Sequence, residues 1–238
     1  MSKTNISNLN TEDELIKILK NFNTLLSSVG CGRTKSHDER FAICMLLSSL
    51  AKTQELNYPL ELLHQDKPDF KLMLGAEISG IEITFARNQN QAHFKALMNR
   101  SEKQKVYSTN VFAPDKILTK NEMQKLIDHN VSGYPLMGEQ PYINWAAYVS
   151  QGISKKSAAF KNDKFKKYSK NSLVVVVETP DMICIDDINK AIKYLEEVWP
   201  KDIGFDCVYV QQYDYIIKIV PNRLASVYVV NDIWGFYE

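Results

Sequence analysis

Five consecutive apolar residues, Leu173-Val174-Val175-Val176-Val177, show no alternation with polar ones. Side chains along a strand point to opposite faces in turn, so such a strand is covered on both sides and belongs in the interior of a sheet. Covering both faces takes helices, and the sequence on either side supplies them.

Residues 11–28 place Leu15, Ile18, Leu19, Phe22, Leu25 and Leu26 at three- and four-residue spacing, the pattern of an amphipathic helix behind a polar leader. After a glycine-containing break, Ser36 with Glu39 three residues on reads as a capping box that opens a second, largely apolar helix through Leu50. Pro59 and the polar residues 65–68 separate this region from two β-like runs, 69–74 and 78–85, joined by Gly75-Ala76-Glu77 as a hairpin. Residues 88–105 are polar and helical. The stretch 107–141, with Pro114, Gly133, Pro135, Gly138 and Pro141, reads as an insertion around one short helix at 121–129. A helix over 142–168, the strand 172–177, a helix over 186–199 and strands at 206–210, 215–220 and 226–230 complete the chain. The expectation is an α/β protein with a mixed central sheet flanked by helices. At 238 residues and 45% hydrophobic it is expected to form one domain, with 1–35 as an N-terminal helical extension.

Several function classes lose support at once. Lys plus Arg number 29 against 28 for Asp plus Glu, so a polyanion can be met only by a local patch. No apolar run reaches the roughly 20 residues of a membrane helix, and residues 1–10 are polar, which leads to the expectation of a soluble, cytoplasmic protein. Cys31, Cys44, Cys184 and Cys207 are scattered without zinc-ligand spacing and are expected to be reduced and structural. Gly30-Cys31-Gly32 is too short for a phosphate loop, and the four histidines are isolated from any recognised nucleophile setting.

Chemistry concentrates at three other places. In the run 78–85, Ile78, Gly80, Glu82 and Thr84 share one side, with Glu82 between two isoleucines. Either the strand lies at an edge with that side in water, or Glu82 is buried and has a partner. Asp69, at the start of the preceding strand, is placed by the hairpin at the same end of the sheet. Two carboxylates so close repel unless a cation lies between them, and their hard oxygens suit Mg²⁺ or Mn²⁺. On the helix over 142–168, Trp145, Val149, Ile153, Lys156 and Phe160 form one apolar stripe, while Lys155 points away from it. Lys156 in mid-stripe either snorkels to an edge or meets an anion.

The segments Pro68-Asp69-Phe70 and Gly80-Ile81-Glu82-Ile83-Thr84, followed by Ile153, Lys156, Tyr168 and the strand 173–177, resemble the hairpin-and-helix segment of divergent members of the PD-(D/E)XK nuclease superfamily. The resemblance covers about residues 38–178. It implies a restriction-endonuclease-like α-β-β-β-α-β core with extra C-terminal strands, and a Mg²⁺-dependent hydrolysis of phosphodiester bonds in DNA or RNA. By position, Asp69 and Glu82 would be the metal ligands. Thr84 stands where the motif has lysine, a departure that Lys156 would make good from the neighbouring helix. An acid on the first core helix, Glu39 or Glu55, would support the metal through water, Glu39 ranking lower because the cap already accounts for it.

A nuclease also holds a polyanion. Seven lysines and one acid, Asp163, lie between 155 and 170, either as a track for nucleic acid or as a solvated face, and the superfamily allows a homodimer. Tyr134, Tyr142 and Trp145 are candidates for stacking on bases, with Trp145 equally explained as core. The alternative function is the same fold without catalysis, binding nucleic acid or a protein partner.

Overall fold

The apolar run 173–177 forms the buried inner part of a strand, β5 (Lys170–Val177), fifth in an eight-stranded sheet. The computed structural model describes residues 4–22, 34–98, 112, 117–129, 138–162, 164–178, 185–221 and 225–235. The strands are β1 (Ile6–Leu9), β2 (Leu60–His64), β3 (Phe70–Leu74), β4 (Glu77–Ala86), β5, β6 (Cys207–Gln212), β7 (Tyr215–Ile219) and β8 (Ser226–Val229), and they lie side by side in that order. β1 to β4 pair antiparallel, β5 and β6 pair parallel, and β6 to β8 pair antiparallel, so the sheet is mixed. The parallel pair requires a crossover, which contains a helix, α6 (Ile188–Glu197).

The chain divides into two compact units. The first comprises Met1–Thr84, Ile153–Val176 and Asp202–Glu238, and the second Phe85–Gly152 and Val177–Lys201. The first contains nearly all of the sheet, with α1 (Glu12–Asn21), α2 (Lys35–Ala51) and the C-terminal part of α5 (Gln140–Phe160). Its core is built from Leu15, Leu19, Ile43, Met45, Leu60, Leu62, Phe70 and the inner valines of β5. The second contains α3 (Gln89–Met98), α4 (Lys120–Asp128) and α6, with Phe94, Phe112, Met123 and Ile127 forming a core of their own. The expected insertion, 107–141, falls in this unit, and its short helix is α4.

Besides α1, which ends at Asn21 with Phe22 extended instead of running to 28, three features differ from the sequence reading. First, β1 and β2 were not anticipated. In β2 Leu60 and Leu62 are buried while Glu61 and Leu63 are not, a true alternation in a segment too short to stand out between Pro59 and the polar residues after it. Second, α5 ends at Phe160 rather than 168. Phe160 and Phe165 both pack on Phe205, with ring centroids 4.6 and 6.5 Å away, and the chain has to leave the helix for both rings to reach it. Third, α2 is capped by Thr34, not Ser36. Thr34 is extended, its hydroxyl accepts from His37 N–H, and the His37 ring accepts from Thr34 N–H, closing the capping box two residues upstream of the expected one. Glu39 is thereby released from the cap and turns into the protein, 4% exposed.

Candidate active site

The hairpin of β3 and β4 pairs Phe70 with Ile81, which sets Asp69 and Glu82 beside each other just outside that pair. Backbone amides of the hairpin secure both carboxylates. Asp69 N–H donates to Glu82 Oε2 at 3.2 Å, and Ile83 N–H donates to Asp69 Oδ2 at 2.8 Å. Both side chains are buried, at 2% and 6% exposure, so neither reaches bulk water for its charge. Glu82 is on an interior strand, which removes the reading of an edge strand with its polar side in solvent.

Cations approach this pair from two helices. From α5, Lys156 Nζ donates to Glu82 Oε1. From the first turn of α2, Lys35 Nζ lies 3.2 Å from Asp69 Oδ1 and 2.7 Å from Glu39 Oε1. His64, the last residue of β2, completes the group: its Nε2 is 3.2 Å from Glu39 Oε2, and its ring stacks on Phe70 at 4.7 Å. Asp69, immediately before β3, is thus bonded both to Glu82 and to the Lys35–Glu39 pair.

Two of the three buried carboxylates, Glu82 and Glu39, are shifted by burial and by the Asp69 charge beside them. Burial, then the neighbouring Asp69 charge, holds Glu82 above the usual carboxylate range, with Lys156 pulling it partly back. Burial likewise raises Glu39, with Asp69 adding to the effect and Lys35 opposing it. For Lys35 burial acts to lower the pKa, but Glu39 and Asp69 together outweigh it and hold the ammonium above its ordinary value. The group is an anionic cluster in which three carboxylates face two ammonium groups, so its own lysines offset only part of the charge.

Gly80 explains how the site is walled. A Cβ on Gly80 would lie 2.8 Å from both Pro68 Cγ and Tyr168 Cδ2, so only glycine admits the Tyr168 ring at this point. The Tyr168 hydroxyl donates to Gln65 Oε1 at 3.1 Å, tying the loop before Asp69 to the segment that leads into β5. Glycine and tyrosine of the sequence pattern are therefore packing partners.

The expected stripe on α5 is present: Trp145, Val149, Ile153 and Phe160 are buried, Lys155 is exposed, and Lys156 turns inward to Glu82. Thr84 is buried at the next position on the Glu82 side of β4. The lysines from 161 onward do not continue the helix. Lys161 pairs with Asp202 and Lys170 with Glu77, both at 2.7 Å, while Lys166 and Lys167 lie over the rings of Tyr168 and Phe160. Tyr142 is no platform for bases, since its ring is buried and its hydroxyl is bonded to Asp186; Trp145 is fully buried, as its core reading requires. Tyr134, Asp163 and residues 30–32 lie outside the described residues. Glu55 is occupied by Lys218 at 2.6 Å and by the Tyr228 hydroxyl. Cys44 and Cys207 are free and buried, and burial lifts their thiols to about 12 and about 11, far from a reactive thiolate; Cys31 and Cys184 lie outside the described residues.

Sequence reasoning missed Lys35 and His64 and ranked Glu39 low. The i,i+4 spacing of Lys35 and Glu39 was a usable signal, hidden by placing the helix start two residues late. Among the described residues no group of three or more His, Cys, Asp and Glu side chains is arranged to hold one metal ion. What the cluster offers is two carboxylates at a time, hard oxygens of a kind that suits Mg²⁺ with water completing the shell. No helix among the described residues is long and apolar enough to cross a membrane. No protein-family model, curated protein or solved structure matches the chain.

Proposed function

We propose that the chain is a metal-dependent nuclease of the PD-(D/E)XK type that hydrolyses phosphodiester bonds of DNA or RNA. The observation that carries this reading is the buried Asp69–Glu82–Lys156 chain of bonds, in which two strands and a helix converge on a pair of carboxylates and an ammonium. The element order supports it: α2, β2, β3, β4, then α5 and β5, gives the α-β-β-β-α-β succession with α3 and α4 inserted. Asp69 and Glu82 would hold Mg²⁺ or Mn²⁺, which supplies a bound water of lowered pKa and offsets charge on the phosphate. Lys156, held by Glu82 Oε1, keeps a positive charge beside the attacking water and the phosphate oxygens, the part that Thr84 has no charge to play. The exposed lysines around 164–167 would serve as a track for the nucleic-acid backbone.

A specific observation favours a second reading, in which the fold binds nucleic acid or a protein without cleaving. The Asp69 and Glu82 oxygens already have partners in Lys35, Lys156 and the backbone, so these two carboxylates are satisfied as parts of a structural ion network. A cleavage assay on single- and double-stranded DNA and RNA with Mg²⁺ or Mn²⁺ separates the two. The nuclease reading expects cleavage by the wild type and a loss of about 100-fold or more in Asp69→Asn and in Lys156→Met. No cleavage by the wild type across the panel, or equal cleavage by all three, would establish the non-catalytic reading or an unrelated activity.

A further inference from the structure

Lys35 has an unusual combination of properties. Its side chain is 71% exposed, yet its ammonium is in contact with two of the most deeply buried carboxylates of the protein, Asp69 and Glu39, at 2% and 4% exposure. The contact with Glu39 Oε1, although only 2.7 Å long, is an ion pair outside hydrogen-bond geometry, and that buried oxygen accepts no hydrogen bond. A buried carboxylate oxygen without a hydrogen bond is expensive, and proteins normally provide a donor or a cation for it. By contrast, Glu39 Oε2 has His64, Asp69 Oδ2 has the Ile83 amide, and Glu82 Oε1 has Lys156. The two oxygens that face Lys35 are thus secured only by a flexible, solvent-exposed side chain.

We propose that Lys35 is a displaceable counter-cation, whose ammonium stands at the point where a divalent ion would draw Asp69 Oδ1 and Glu39 Oε1 together and must leave for that ion to bind. The inference rests on the metal-dependent reading above, keeps Asp69 as a ligand, brings in Glu39 as a second carboxylate facing the ion, and adds a competing residue. A lysine suits this part because its ammonium is a compact, strongly hydrated charge on a flexible stem. Leaving the site returns that charge to water, as its exposure permits. Lys156 is different: its side chain is 19% exposed and its partner Glu82 Oε1 is not shared with Lys35, so it stays when Lys35 departs. Lys35 thus offsets part of the cluster's charge without metal and sets the metal concentration at which the site fills.

The test is Mn²⁺ binding to the full chain by titration calorimetry, with free Mn²⁺ checked by electron paramagnetic resonance, for wild type, Lys35→Met, Lys35→Arg and Asp69→Asn. Lys35→Met removes the competing charge and keeps most of the stem, and the expected result is Mn²⁺ affinity increased by about fivefold or more. Lys35→Arg keeps the charge and is expected to bind no more tightly than wild type, while Asp69→Asn loses the site. Wild-type binding with equal or weaker binding by Lys35→Met overturns the role of Lys35 and leaves the metal reading standing. Tighter binding by both Met and Arg variants also overturns it, because charge is then not the cause. No Mn²⁺ bound by either wild type or a folded Lys35→Met removes the metal reading, and this inference with it. Circular dichroism in metal-free buffer establishes that each variant is folded, and Lys35→Gln replaces the Met variant where that one is not.

Discussion

Asp69 and Glu82 are held by the amides of Ile83 and Asp69 as much as by cations, which makes the titration of Glu82 a property of the hairpin. Asp69 N–H donates to Glu82 Oε2, and Ile83 N–H donates to Asp69 Oδ2, so protonating either acid alters a bond that fixes the pairing of β3 with β4. Burial and the Asp69 charge hold the Glu82 pKa above its ordinary 4.5. The folded protein therefore binds more protons at this residue than the unfolded chain does, over the interval from 4.5 up to the raised value. Stability depends on pH through the difference in protons bound, and here the sign is a loss as pH rises across that interval. Glu82→Gln removes the titrating group while keeping an acceptor for Asp69 N–H. Urea denaturation in metal-free buffer from pH 4 to pH 8 is expected to show a downward contribution with pH in the wild type that is reduced in Glu82→Gln. A wild-type profile unchanged by the substitution would mean that Lys156 compensates the buried charge fully.

α2 is the element whose starting point decides what its acids do. With Thr34 as the N-cap, Lys35 and Glu39 lie one turn apart and both engage the Asp69 cluster; with Ser36 as the cap, Glu39 would have been spent on the backbone. Thr34→Ala is expected to cost about 1 kcal/mol of stability through the lost cap. Ser36→Ala, at the second helical position and not the cap, is expected to lie within about 0.5 kcal/mol of wild type, and chemical denaturation of the two variants side by side checks the order. The same element shows why some of the site was legible and some was not. The β3–β4 hairpin and the α5 stripe are local patterns of period two and 3.6, so Asp69, Glu82 and the inward turn of Lys156 followed from counting residues. Glu39 and Lys35 depended on a helix start that the Ser36–Glu39 spacing set two residues late, because it mimics a capping box. His64 depended on β2, a five-residue strand whose pairing with β3 is a tertiary fact. The end of α5 was illegible for a related reason, since Phe205, the ring that draws Phe160 and Phe165 together, is 40 or more residues further along the chain.

At the scale of the whole molecule, 29 basic residues against 28 acidic ones leave almost no long-range field, so any attraction for nucleic acid depends on where the lysines are left without acids. Lys161 and Lys170 are each neutralised by a carboxylate, Asp202 and Glu77, whereas Lys155, Lys164, Lys166 and Lys167 are exposed. If the proposed track carries substrate, about four phosphates are neutralised, and the affinity for duplex DNA is expected to fall with salt at a logarithmic slope of roughly −3 to −4. Asp69→Asn is the form to measure, because it separates binding from cleavage, and fluorescence anisotropy of a labelled duplex between 50 and 200 mM KCl is the measurement. Lys164→Gln and Lys167→Gln should each make the slope shallower by about 1, because each removes one counterion-releasing contact. Lys161→Gln should leave the slope nearly unchanged, since its charge is already set against Asp202 at 2.7 Å. Equal effects of all three substitutions would mean that only net charge matters, and binding insensitive to salt would exclude the 155–170 lysines as the track for the backbone.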